Sequence, residues 1–96
     1  MILHTLSAAP DTPAFRECLS VATQEDAILL LGDGVYAALP GSAFLAGLLN
    51  TGAVVHVLQD DARAAGIPAP ASSVTSVGMT EFVALTVRFP RQMAWF

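Results

Sequence analysis

Short apolar runs alternate along this chain with segments in which apolar side chains recur at helical spacing. The run at residues 28–31 holds four apolar residues and is followed by Gly-Asp-Gly at residues 32–34. A run so short, bounded by turn residues, is typical of a strand that is buried on both faces, as in a parallel sheet. We take it as the central strand, which ends at Asp33 and Gly34 and leads into a short helix at residues 35–39.

The rest of the chain shows the same two patterns, short apolar runs and apolar residues at helical spacing. Further strands are predicted at residues 1–6, 53–58, 74–77 and 92–96, and further helices at residues 13–23, 43–50, 60–65 and 81–89. In the first of these helices Phe15, Cys18, Leu19 and Ala22 form one apolar stripe. Strands that alternate with helices predict an α/β fold. We expect one domain of residues 1–96, with a mostly parallel five-stranded sheet and helices on both faces.

Local signals refine this prediction at the ends of the elements. Three helices are expected to begin at a capping side chain, namely Asp11 or Thr12, Ser42, and Thr80. Gly34 is expected to adopt a backbone angle that other residues avoid, within a tight strand-to-helix turn. Trp95 and Phe96 are expected to be buried, against this chain or against another one, because large aromatic side chains are rarely left in water.

The composition is unusually poor in charge. Of the 96 residues, 54% are hydrophobic and only 12% are charged, about half the usual fraction of ~25%. So few charges leave apolar surface uncovered, which favours an obligate oligomer or a subunit of a complex. The alternative is that the many alanines inflate the apolar count.

The sign of the charge and the single cysteine exclude further classes of function. The chain has four arginines and no lysine against eight carboxylates, for a net charge of −4. We therefore expect no direct contact with nucleic acid and none with an anionic membrane, since both need basic surface. No apolar run is long enough to span a membrane. One cysteine cannot form an internal disulfide, which favours a reducing compartment and a cytoplasmic location.

Cys18 is the one strong nucleophile and the candidate sulfur acceptor. A thiolate can take over sulfane sulfur as a persulfide or attack a carbonyl. Its place on the apolar stripe of a helix nevertheless favours a buried, structural thiol over a reactive one.

The remaining polar residues predict little chemistry. His4 and His56 stand in separate strands without metal-ligand neighbours, so we expect backbone hydrogen bonds and no metal site. Asp33 and Gly34 lack the glycine spacing of a phosphate cradle, and no cofactor is predicted. The pair Asp60 and Asp61 is expected to be solvated at a helix start. If the chain has a working edge, it should lie near Asp33 and Gly34, because ligands collect at the carboxyl ends of parallel strands.

Four segments in order resemble the TusB/DsrH family of sulfur-relay proteins. They are the opening residues 3–6, Leu-Leu-Gly-Asp-Gly-Val-Tyr-Ala-Ala at residues 30–38, residues 57–66, and residues 82–95, the last being similar to the TusB branch. The resemblance implies a DsrEFH-like α/β subunit that assembles with TusC/DsrF-like and TusD/DsrE-like partners. Such a complex passes persulfide sulfur from a TusA-type carrier to a TusE-type carrier for 2-thiolation of the tRNA wobble uridine.

The same resemblance leaves the role of Cys18 open. In this family the main sulfur-carrying cysteine belongs to the TusD/DsrE-type partner. Cys18 matches a cysteine of DsrH-type chains that TusB-type chains can lack. The chain is thus expected to be an accessory, non-catalytic subunit. The alternatives are a DsrH-type subunit in sulfur oxidation, an independent thiol-dependent sulfurtransferase that uses Cys18, and, ranked last, a small-molecule-binding module at the edge near Asp33.

Overall fold

A computed structural model describes all 96 residues, and strands alternate with helices as the sequence predicts. The strands are β1 (Ile2–Leu6), β2 (Ala27–Leu30), β3 (Val54–Leu58), β4 (Thr75–Val77) and β5 (Arg91–Trp95). The helices are α1 (Pro13–Val21), a 3₁₀ helix (Gly32–Ala38), α2 (Leu45–Asn50), α3 (Gln59–Ala64) and α4 (Met79–Arg88). None of the helices is long and apolar enough to cross a membrane.

All five strands are parallel and lie in the order β4-β3-β2-β1-β5. Strand β2 is the middle strand, and each of its four residues is buried. Burial on both faces explains why this strand reads as an uninterrupted apolar run. The predicted five-stranded sheet and its central strand are confirmed.

The strand order decides how many helices cover each face of the sheet. From β1 to β4 the chain moves steadily across the sheet, so right-handed crossovers place α1, the 3₁₀ helix, α2 and α3 on one face. Strand β5 then returns to the far side of β1, which places α4 on the other face. We call these the α1 face and the α4 face. Helices on both faces are confirmed, but only one helix covers the α4 face.

The sheet also divides the hydrophobic core into two clusters, one on each face. The larger cluster lies on the α1 face and includes Phe15, Val35 and Leu48. The smaller cluster lies on the α4 face and joins strand residues to one side of α4. Its members are Leu3, Ala27, Leu29, Val77, Leu85 and Phe89.

A hydroxyl side chain caps α1, but the hydroxyl predicted to cap α2 does not. The Thr12 hydroxyl caps α1 by accepting a hydrogen bond from the Phe15 N–H, which confirms one of the two predicted caps. The Ser42 hydroxyl instead accepts from the Phe44 N–H and shapes a turn, so α2 begins two residues later than predicted, at Leu45.

The predicted cap of α4 is wrong. The helix begins at Met79, and Thr80 lies inside its first turn. The carboxylate of Glu81 reaches back and accepts a hydrogen bond of 3.1 Å from the N–H of Gly78. A carboxylate at this point also meets the positive end of the helix dipole, so it takes the role expected of a hydroxyl.

The segment after β2 forms a 3₁₀ helix rather than the predicted short helix at residues 35–39. It begins at Gly32, whose φ of +52° lies in the left-handed region. The prediction of an unusual angle at Gly34 is wrong, since its φ is not positive. Gly34 is required for a different reason: a Cβ there would overlap the carbonyl oxygen of Leu6.

The two aromatic residues after Ala94 differ in burial. Trp95 is half-buried and packs against the core of the α1 face. Phe96 is 88% exposed, so the expected burial is wrong for it within this chain.

Candidate functional site

Cys18 lies in the middle of α1, and its side chain is fully buried. Phe15 and Ala22 are buried on the same stripe, as the helical spacing predicts. Burial, and secondarily the nearby Asp26 carboxylate, raises the pKa of the Cys18 thiol to about 12. The thiol is therefore protonated at neutral pH, and it has neither the access nor the negative charge that a nucleophile needs.

We predict that Cys18 in the native protein stays unmodified by a thiol-reactive aromatic disulfide, whereas the denatured chain reacts fully. Absorbance of the released thiolate gives the measurement, and rapid reaction of the native protein would contradict the burial of Cys18. The raised pKa also means that the folded thiol keeps its proton to higher pH than the unfolded one. Stability should therefore fall as the pH rises from about 8.5, where an unfolded thiol titrates.

Next to Cys18, two buried polar side chains and the half-buried Trp95 form a chain of hydrogen bonds that joins distant parts of the sequence. The Nε2 atom of His4 is 3.0 Å from Oδ2 of Asp26. The indole N–H of Trp95 donates a hydrogen bond of 3.1 Å to Nδ1 of His4. His4 is fully buried and Asp26 is 6% exposed. The chain ties β1 to the connection before β2 and to the edge strand β5.

Hydrogen bonds fix the protonation of this cluster. Burial alone would raise the pKa of Asp26, but hydrogen bonds from His4, from the Thr23 N–H and from the Ile2 N–H outweigh it and lower that pKa. Because Trp95 donates to Nδ1, the neutral His4 ring carries its proton on Nε2 and donates it to Asp26. Both ring nitrogens of His4 are engaged, so neither is free to bind a metal or a substrate. The arrangement is a structural hydrogen-bond network rather than a catalytic site.

The prediction that His4 bonds to the backbone is wrong, since both of its ring nitrogens bond to side chains. The partners are 22 and 91 residues away in sequence, so local patterns could not pair them. The sequence does contain one indication that such a contact exists. A charged Asp26 directly before a strand that is buried on both faces requires a polar partner.

The carboxyl edge of the sheet holds the largest depression, of about 560 Å³. It lies beyond the ends of β1 and β5, where the strand order reverses, which is the usual ligand position in open α/β sheets. Ser7, Thr12, Asp33 and Phe96 are among its lining residues. Asp33 thus lies at the edge where the sequence placed it, but the lining offers no thiol, no cation, and no histidine that could activate the hydroxyls of Ser7 and Thr12.

The predicted pair Asp60 and Asp61 divides into two roles. Asp60 is exposed at the start of α3, as expected. Asp61 instead accepts a hydrogen bond of 2.8 Å from the N–H of Gly32, which ties α3 to the start of the 3₁₀ helix. This contact shapes the edge of the sheet and leaves no acid–base pair.

The second histidine, His56 in β3, has no backbone partner either, so that prediction is also wrong. Its Nδ1 atom is buried and has no hydrogen-bond partner. Burial lowers the pKa of His56, and the charge of Arg88 lowers it further, so the ring is neutral at neutral pH. No group of three or more His, Cys, Asp and Glu side chains is arranged to hold a metal ion.

Comparison with known proteins gives one consistent result. A family model described as "DsrH like protein" matches residues 9–92. Protein TusB of Erwinia tasmaniensis is 44% identical over 95 residues, and the match covers 98% of this chain and 100% of that protein. Protein TusB of Klebsiella pneumoniae is 43% identical and that of Pectobacterium atrosepticum 41% identical, over the same shares of both chains.

Proposed function

This chain belongs to the DsrH-like protein family, and from that membership we propose that it is a subunit of a sulfur-relay complex. The observation that carries the proposal is the end-to-end match to proteins named TusB, at 41–44% identity over 98% of the chain. The low charge of the chain, at 12% of residues, also suits a subunit whose surface is covered by other chains.

Within the relay we assign the chain to the TusB branch. The resemblance to that branch implies that the complex hands persulfide sulfur from a TusA-type carrier to a TusE-type carrier for 2-thiolation of the tRNA wobble uridine. The partners are then TusC/DsrF-like and TusD/DsrE-like chains in the cytoplasm. The description of the matching family model favours a second candidate, a DsrH-type subunit in sulfur oxidation.

We assign this subunit an accessory role, in which a partner chain carries the sulfur. Sulfur transfer requires a thiolate to attack the outer sulfur atom of a persulfide. The Cys18 thiol is fully buried and its pKa is about 12, so it meets neither requirement in the folded subunit. A sulfur-acceptor role for Cys18 would require α1 to lift from the sheet.

Co-expression with TusC-like and TusD-like chains tests both parts of this proposal. We expect the three chains to co-purify as one assembly, measured by native mass spectrometry. We also expect the Cys18→Ala assembly to accept sulfur from a persulfidated carrier within about twofold of the wild-type rate, measured by mass shift of each chain. Alanine removes the sulfur without burying a hydroxyl, and such buried-site changes are best kept apolar.

Two outcomes would contradict the proposal in different ways. A chain that purifies only as a free monomer would overturn the subunit role. A persulfide mass shift on this chain, lost in Cys18→Ala, would instead make it a sulfur carrier and favour the independent sulfurtransferase.

A further inference from the structure

His4 is a titratable side chain whose two ring nitrogens are both engaged inside the protein. Nε2 faces Oδ2 of Asp26 at 3.0 Å, and Nδ1 accepts a hydrogen bond of 3.1 Å from the indole N–H of Trp95. A nitrogen that accepts a hydrogen bond carries no proton, so this geometry belongs to the neutral ring. The imidazolium form donates from both nitrogens, and it therefore cannot keep the contact with Trp95.

The surroundings of the His4 ring hold one anion and otherwise little charge. The charged group that the ring contacts is the Asp26 carboxylate. The other oxygen of that carboxylate, Oδ1, lies 3.9 Å from the N-terminal ammonium group of Met1. Within the sheet His4 lies between Ile28 of β2 and Met93 of β5, and both of these side chains are uncharged. The ring therefore has an anion on one side and a neutral hydrogen-bond donor on the other.

The anion allows His4 to accept a second proton inside the core. Although burial works against it, hydrogen bonds hold the pKa of Asp26 below the ordinary aspartate value, so the carboxylate stays charged at about pH 5 and above. An imidazolium at His4 would be paired with this anion rather than buried alone. The Cys18 thiol in α1 adds no charge here, because burial, and secondarily the Asp26 carboxylate, raises its pKa to about 12.

The indole of Trp95 can leave its place without unpairing strand β5. The backbone carbonyl of Trp95 accepts hydrogen bonds of 2.9 Å and 3.2 Å from the N–H groups of Ser7 and Ala8. These bonds, and the parallel pairing of β5 with β1, do not involve the His4 ring. The indole is half-buried against the core of the α1 face, so part of it already meets water. Its hydrogen bond to His4 is the polar contact that holds it in place.

We propose that His4 and Trp95 form an acid-sensitive latch on the edge strand β5. As the pH falls, a proton from solvent binds Nδ1 of His4, the ring becomes a cation paired with Asp26, and the indole N–H loses its acceptor. The Trp95 side chain then turns out of the core of the α1 face, and water accepts the hydrogen bond of its N–H. Because Phe96 follows Trp95 directly and lines the depression of about 560 Å³, the same step loosens one wall of that depression.

Trp95 is the sole tryptophan, so its fluorescence reports the state of the latch. A histidine ordinarily changes its charge between about pH 5 and 8. Over this range we expect the emission of the native chain to move to longer wavelength, while the far-ultraviolet circular dichroism stays constant because the strands remain paired. In nuclear magnetic resonance spectra, the Trp95 indole N–H signal should move with the same midpoint as the signals of the His4 ring.

Two variants separate the latch from a general effect of acid. His4→Gln keeps a polar side chain but cannot titrate, so the shift of the Trp95 emission should be lost. Trp95→Phe keeps an aromatic ring but removes the N–H donor. In this second variant the His4 ring should bind its proton about tenfold more tightly than in wild type, because protonation no longer breaks a hydrogen bond.

His56→Gln is the matched control, because it removes the other histidine of the chain. His56 lies two strands away from His4, in β3, and it lines a depression beside α4 on the opposite face of the sheet. The midpoint of the Trp95 shift should change by less than about twofold in proton concentration, as expected for a distant, independent site.

Several results would overturn the latch. One is a Trp95 emission that stays constant between about pH 8 and 5, and another is a shift that persists in His4→Gln. Loss of the circular dichroism together with the shift would show acid unfolding of the whole chain instead. If His4→Gln does not fold, Trp95→Phe decides alone, and an unchanged proton affinity of His4 overturns the latch. A shift that disappears in His56→Gln would assign the transition to the other histidine. None of these results bears on the subunit role.

Discussion

Replacing Asp26 with asparagine should lower the free energy of unfolding by about 3 kcal/mol, because one hydrogen bond is lost at Oδ1 and the two at Oδ2 lose their charge assistance. The Asp26 carboxylate accepts from the Ile2 N–H, the Thr23 N–H and the His4 ring, at 2.9–3.0 Å. An asparagine of the same size can keep its acceptor oxygen at the Oδ2 position, and its NH₂ group then faces the Ile2 N–H, which is also a donor. Urea denaturation followed by the fluorescence of Trp95, the sole tryptophan, gives the measurement.

The same carboxylate predicts how stability depends on pH. The pKa of Asp26 is lower in the folded chain than the ordinary aspartate value of about 3.9. The folded state therefore binds fewer protons than the unfolded state in this range. Its contribution to stability is present above about pH 4 and is lost as the pH falls through the lowered pKa. In Asp26→Asn this part of the acid sensitivity should disappear.

Asp33→Asn is the matched control for the Asp26 variant. Asp33 is exposed at the carboxyl edge of the sheet and accepts no side-chain hydrogen bond. The same substitution there should change the free energy of unfolding by less than about 0.5 kcal/mol. Equal stability of the two variants would show that the cluster of His4, Asp26 and Trp95 does not hold the edge strand in solution.

The fold was predictable where burial leaves a local signature in the sequence. Strand β2 is buried on both faces, so it reads as an apolar run, and α1 presents Phe15 and Cys18 at helical spacing. The position of β5 beside β1 has no such signature, because it depends on a pairing between residues 2–6 and 91–95. That one pairing leaves α4 alone on its face of the sheet, an arrangement that no local pattern in the sequence predicts.

The polar contacts were less predictable for the same reason. A hydrogen bond between His4 and Trp95 spans 91 residues, and no local period encodes it. Predictions about neighbouring residues also failed where the outcome depends on the reach of one side chain, which the pattern of apolar and polar residues does not show. The Glu81 side chain is long enough to reach back to the Gly78 N–H, so it replaces the expected cap at Thr80.

Gly34 lies in the turn that the sequence marks most clearly, and its importance is steric. Its φ is not positive, so alanine would suit the backbone angle. A Cβ would nevertheless overlap the carbonyl oxygen of Leu6, at the end of the neighbouring strand β1. Backbone cannot move aside as a side chain can, and this carbonyl also accepts a hydrogen bond of 3.2 Å from the Leu31 N–H.

Gly34→Ala should therefore destabilise the chain by about 3 kcal/mol or more, at the upper end of the cost of overpacking. Gly41→Ala is the control: its φ is +79° and nothing lies within 4 Å of the added Cβ, so it should cost only the left-handed strain of about 1–2 kcal/mol. Thermal unfolding of both variants, followed by circular dichroism, gives the comparison. If Gly34→Ala proved the milder change, β1 and the 3₁₀ helix could separate at little cost, and their close contact would not be what fixes the carboxyl edge of the sheet.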